Sequence, residues 1–173
     1  FKFLKMEEQA MAAFMELMNW PAFLVATLVP MVLGFLWYNP KTPTGAIWMR
    51  ETNMTDEKMK GANMPVIFGL SLLFSFLMNF FIVSHEVIHQ YGAYSLLIDH
   101  PEEAFRILTE YKNEYRTFPH GMLHGAFLGL FFVLPIFATN GMFERKSWKL
   151  IWVNVLYWTL CLVIMGGILC AWQ

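Results

Sequence analysis

Apolar positions along this chain gather into four long runs, and every charged residue except Lys149 lies outside them. The runs extend from Trp20 to Tyr38, Met64 to Ser84, Gly121 to Thr139 and Trp148 to Trp172. Roughly 20 residues at 1.5 Å rise cross a hydrocarbon core. Each run is close to that length, and Trp20, Trp37, Tyr38, Trp148 and Trp172 mark run ends, where aromatic rings favour the headgroup level. The pattern predicts an all-α integral membrane four-helix bundle forming a single membrane domain over residues 1–173. Its transmembrane helices are expected at about 20–38, 64–84, 121–139 and 148–172. Pro30 and Pro135 are expected to kink the first and third, because proline removes a backbone donor and clashes with the preceding turn.

The segment 85–120 is too long for a bare loop. Pro101 suits a first helical position, and Glu102 and Glu103 complement a helix N-terminus. Phe105, Leu108, Tyr111 and Tyr115 recur at helical spacing, which predicts an amphipathic helix over about 101–116 capping the bundle. Elsewhere, Ile47, Trp48 and Met49 form an interfacial foot, and Thr55 with Asp56 and Glu57 starts a short helix. Gly121, Gly125 and Gly129 recur every four residues, the spacing that lets membrane helices approach closely. They suit either packing within the chain, with Gly166 and Gly167 as counterparts, or a homo-oligomer or larger membrane complex. Asn79 and Asn154, polar groups inside the runs, are expected to bond neighbouring helices.

Composition strengthens the membrane reading: 57% of residues are hydrophobic and 14% charged, against roughly a quarter charged in soluble domains. A net charge of −1 without clustered cations excludes nucleic-acid binding. The segments 39–63 and 140–147, with flanking Lys149, carry Lys41, Arg50, Lys58, Lys60, Arg145 and Lys146. The opposite side carries fewer cations over a longer stretch, namely Lys2, Lys5, Arg106, Lys112 and Arg116. The positive-inside rule therefore places both termini and every histidine outside the cytoplasm. Residues 1–17 mix Lys2 and Lys5 with Glu7, Glu8 and Glu16, so no cleavable signal peptide is expected. Cys161 and Cys170 lie half a helical turn out of phase and are not expected to pair with each other. A transporter is disfavoured, since no charged residue lies deep in a run.

The candidate chemistry is in the histidines, all five of which fall between His85 and His124. Four form i, i+4 pairs, His85 with His89 and His120 with His124, a spacing that puts both rings of a pair on one helical face. HEVIH also matches the HExxH pattern of zinc hydrolases, with His85 and His89 as ligands and Glu86 as catalytic base. The longer version of that pattern expects a third histidine where this chain has Ser95. A further ligand would have to come from His120, His124, His100 or Asp99. The two pairs end adjacent spans at one membrane level. His85, His89, His120 and His124 are thus the candidate ligands of a transition metal such as zinc. A b-type haem held between His85 or His89 and His124 is the minor alternative.

Asn19 and Trp20 open the first run, and Trp37, Tyr38 and Pro40 close it. Gly45, Trp48 and Met49 follow, Asn140, Phe143 and Glu144 lie between the last two runs, and the chain ends in GGILCAW after a Gly-rich third run. In this order, from about 19 to 172, the signatures resemble the bacterial membrane family catalogued as domain of unknown function 1761. The resemblance implies a small polytopic inner-membrane protein and brings no activity, cofactor or catalytic residue. Two functions from different classes follow: a structural or accessory membrane subunit with a histidine metal site, and a metal-dependent membrane hydrolase using HEVIH. Glu86 separates them, because only catalysis needs its carboxylate.

Overall fold

The computed structural model describes residues 15, 18–60, 63–96, 99–143 and 146–172, and all regular structure among them is helical. The helices in chain order are α1 (Trp20–Trp37), α2 (Pro43–Thr52), α3 (Asp56–Lys60), α4 (Met64–Val87), α5 (Pro101–Glu110), α6 (Phe118–Leu128, Gly129–Val133 and Leu134–Phe143) and α7 (Trp148–Ala171). Four of them, α1, α4, α6 and α7, are long and apolar enough to cross a membrane. This is a multi-pass membrane protein in contact with the lipid bilayer.

Each spanning helix starts on a short polar side chain that accepts from an otherwise orphaned backbone N–H. Asn19 accepts from Ala22 (3.1 Å), Asn63 from Val66 (3.3 Å), Thr117 from His120 (3.4 Å) and Ser147 from Leu150 (3.2 Å). Proline stands in the first turn of α1, α4 and α6, where its missing donor costs nothing. The Thr117 cap explains why α6 starts at Phe118, three residues before its apolar run.

The core is organised around α7. Over half of its apolar window is buried, against 17 to 28% in the other three spans. Cys161, Leu162, Met165 and Leu169 of α7 pack with Phe23 and Ala26 of α1 and Val83 and Val87 of α4. The α6 glycines lie directly on α7: a Cβ on Gly121 would strike the Gly166 carbonyl, one on Gly125 the Leu162 carbonyl, and one on Gly129 the Thr159 side chain. Of the two expectations for this stripe, packing within the chain is the one realised. Gly167 in turn seats the Phe118 ring. Both cysteines are buried and free.

The two amides bond adjacent helices as expected. Asn79 Nδ2 donates to the Phe23 carbonyl (3.0 Å) and to Thr27 Oγ1 (3.1 Å), and the Tyr38 hydroxyl donates to Asn154 Oδ1 (3.1 Å). Not foreseen are two π-helical turns, Asn79–Val83 in α4 and Gly129–Val133 in α6. The second immediately precedes Pro135 on the turn that proline disrupts, so widening to i→i+5 bonding accommodates the ring. α1 continues through Pro30, whose carbonyl accepts from the Tyr157 hydroxyl (2.6 Å). The short helix after Thr55 forms, and the foot becomes α2, with Trp48 edge-on to Tyr38. At its end the Ser147 hydroxyl, then Arg50 and Lys149, hold the Glu51 carboxyl below the usual carboxylate range.

The helix expected over 101–116 is shorter. α5 ends at Glu110, and Ala104 and Leu108 are its buried residues, whereas Phe105, Tyr111 and Tyr115 are exposed. Competing bonds stop it: Gln90 Nε2 donates to the Tyr111 and Glu114 carbonyls (2.6 and 2.9 Å), and Tyr115 turns left-handed at φ 58°. Arg116 then reaches the C-terminus of α7, where it donates to the carbonyls of Cys170 (2.7 Å), Leu169 (3.0 Å) and Trp172 (3.2 Å). A cation at these orphan carbonyls opposes the negative end of the helix dipole. Arg116→Ala is expected to cost about 2 kcal/mol, the order for charged hydrogen bonds, read as a lower unfolding midpoint in detergent. The readings made on residues 1–14, 16, 17, 144 and 145 lie outside the described residues.

Candidate metal centre

The site lies where α4 ends and α6 begins. Because α6 starts at Phe118, His120 and His124 sit one turn apart in its first two turns. Their ring centroids are 4.6 Å apart.

Facing them, α4 does not carry HEVIH as one helical turn. It stops at Val87, Ile88 is extended (φ −110°, ψ 92°), and a 3-10 turn runs over His89–Leu96. Burial explains the break: Val87, Ile88 and Tyr91 all enter the core, and Gln90 is tied to the turn after α5. His85 and His89 therefore do not share a helical face, which corrects the expectation drawn from their spacing. His89 swings to α6, with its centroid 4.9 Å from His120 and 4.7 Å from His124. His85 stays behind, its Nδ1 3.3 Å from Ser84 Oγ and its ring edge-on to Tyr91.

His89, His120 and His124 each offer a ring nitrogen, and these atoms lie within 4.8 Å of one another. Imidazoles on one tetrahedral zinc, at about 2.0–2.1 Å each, hold their nitrogens roughly 3.3 Å apart. The His89 and His124 Nε2 atoms, 3.1 Å apart, already match that separation. His120 Nε2 is buried without a hydrogen-bond partner, an arrangement that is costly for a polar atom. All three observations fit one divalent metal accepted by three neutral rings.

Glu86 supplies the support such a site needs. Its Oε1 is 3.3 Å from His124 Nδ1, so a proton on Nδ1 points to the carboxylate and leaves Nε2 as the acceptor. A carboxylate behind a ligand histidine fixes the tautomer and raises the ring's basicity. His89 can then donate its Nε2 proton to His124 Nε2, and a metal would take the place of that proton. Tyr115 stacks on His120 (5.5 Å, 28°) and Phe127 lies edge-on to His124 (6.2 Å), forming an aromatic border. The Tyr115 contact depends on a left-handed residue in a turn, which its helical spacing did not signal. Asp99 and His100 are exposed at the start of α5 and are outside the three-histidine group. The Ser95 side chain lies outside the described set.

A family model described as "Protein of unknown function (DUF1761)" matches residues 21–170, nearly the whole chain and all five histidines. The chain belongs to this family. No curated protein and no solved structure matches it. In this DUF1761 member, therefore, the chemistry rests on the geometry of the histidines alone: three nitrogen donors, a carboxylate behind one of them, and His89 open to solvent.

Proposed function

We propose that the protein is a structural or accessory membrane subunit that binds a transition metal at His89, His120 and His124. The convergence of their ring nitrogens within 4.8 Å carries this reading. Three imidazoles and no thiolate suit zinc among the common divalent ions. The hydrolase alternative is less well supported, because the HEVIH segment is broken at Ile88 and Glu86 is engaged with a ligand ring. Bis-histidine haem ligation is also less well supported, since His89 and His124 Nε2 atoms in hydrogen-bond contact leave no slot for a macrocycle between them.

Elemental analysis of the protein purified in detergent without added metal tests the proposal. Stoichiometric metal, retained in Glu86→Gln and lost in His120→Ala, is the expected result. A protein that neither carries metal nor takes up zinc on titration would overturn it.

In this reading the chain is a bacterial inner-membrane protein, with its termini and metal site on the extracytoplasmic face. Single cysteines at positions 58 and 112, introduced after Cys161 and Cys170 are replaced, test the orientation. An impermeant thiol reagent applied to intact cells should label position 112 only, and labelling at 58 alone would invert the topology. The glycine stripe is occupied by α7, so any self-association would use a different face.

A further inference from the structure

The three-histidine group is one donor short of a closed zinc site. His89, His120 and His124 supply three nitrogens, and among the described residues no further His, Cys, Asp or Glu joins them. A tetrahedral ion held by three protein ligands keeps its fourth position for an outside ligand. His89 is exposed, so the group is open to its surroundings on that side. A divalent ion on three neutral rings, with the Glu86 carboxylate behind His124, leaves one net positive charge, which matches a monoanion.

The surface beside the group is aromatic. Ring contacts pass without a gap from Tyr115 to His120 (5.5 Å), from His120 to His124 (4.6 Å), from His124 to Phe127 (6.2 Å) and from Phe127 to Phe131 (6.0 Å). Phe127 is exposed and Phe131 is 72% exposed, and they stand about one and two turns deeper in the spanning helix α6 than His124. We propose that the open position, in the metal reading on which this inference rests, takes the carboxylate of a single-chain amphiphile such as a fatty acid, with its chain along Phe127 and Phe131. A carboxylate oxygen binds zinc at about 2.0–2.2 Å and, being more basic than a phosphodiester, is the stronger donor of the two. The orientation is that of an amphiphile in a leaflet. His120 and His124 lie in the first two turns of α6, at the headgroup level, and the two phenylalanines continue from them into the hydrocarbon. From His124 to Phe131 the helix rises about 10 Å, within the roughly 15 Å depth of one leaflet.

Cobalt(II) substituted for zinc in the detergent-solubilised full chain provides the test, because its visible absorption reports the ligand set of the ion. Decanoate is expected to change the spectrum saturably, with one equivalent bound per chain. Acetate, which offers the same donor without the chain, should give the same change at higher concentration. Decanol, which has the chain without the carboxylate, should give none. Phe127→Ala and Phe131→Ala should each weaken decanoate about four-fold, the order for losing one methylene-sized apolar contact, and leave acetate unchanged. A chain that binds no cobalt would overturn the metal reading and this inference together. Bound cobalt whose spectrum ignores decanoate would overturn the open position alone. Equal effects of the two substitutions on acetate and decanoate would overturn the aromatic track, and tighter binding of phosphatidylglycerol than of decanoate would overturn the choice of carboxylate.

Discussion

Replacing His124 with alanine should weaken zinc binding by more than about 100-fold, since even changes behind the ligands cost 10–100-fold. The loss is larger than a single bond because His124 connects three groups. Its Nε2 faces His89 at 3.1 Å and its Nδ1 meets Glu86 at 3.3 Å, so removing the ring leaves His89 without its nearest ring partner and the carboxylate without a ring to orient. Competition against a chromophoric chelator in detergent measures the affinity. Thermal unfolding gives an independent readout: zinc at 100 times the parent's dissociation constant should stabilise the parent by about 2.7 kcal/mol through mass action and His124→Ala by no more than about 0.4 kcal/mol. Glu86→Gln is expected to keep the metal with an affinity reduced by about ten-fold, within the range for such supporting groups. His85→Ala should leave binding near that of the parent, because His85 lies against Ser84 and Tyr91. Equal losses in His85→Ala and His124→Ala would show that the three-histidine arrangement is not the binding state.

Gly125→Leu should be strongly destabilising, costing roughly 3 kcal/mol or more by overpacking a closed contact. A Cβ at this position would fall on the Leu162 carbonyl group and 2.7 Å from the Val163 nitrogen. These are backbone atoms of the central helix and have no rotamer into which to move. Gly69→Leu, in α4, is the matched control: nothing lies within 4 Å of its Cβ position, and the side chain would enter lipid. The two variants add the same side chain to the same kind of helix and differ in what stands opposite. Unfolding midpoints in detergent should separate them clearly, and equal midpoints would show that the α6 and α7 backbones are not in contact at Gly125.

Much of the architecture follows from the chain alone, because a bilayer forces simple rules on it. Backbone groups in hydrocarbon must bond within their own helix, so an apolar run of sufficient length is already a spanning helix. Glycine at four-residue intervals is a flat helical face whatever packs on it. The polar amides Asn79 and Asn154 had to find partners on neighbouring helices, and did so. Local chemistry also marks helix starts, and the Thr117 cap with Pro119 was a readable signal for an α6 longer than its apolar run.

Only the tertiary structure decided how the histidines combine. HEVIH read as one helical turn puts His85 and His89 together, but Val87, Ile88 and Tyr91 gain more from entering the core than a further turn of α4 could return, and Gln90 ties the displaced chain to the turn after α5. That single break at Ile88 carries His89 across to His120 and His124 and leaves Glu86 behind His124. The i, i+4 spacing of His120 and His124 was reliable because α6 is continuous through both positions. The π-helical turns were likewise absent from the pattern of residues. They arise from the fit between helices, which depends on rotation and separation, and periodicity along one helix carries no information about either.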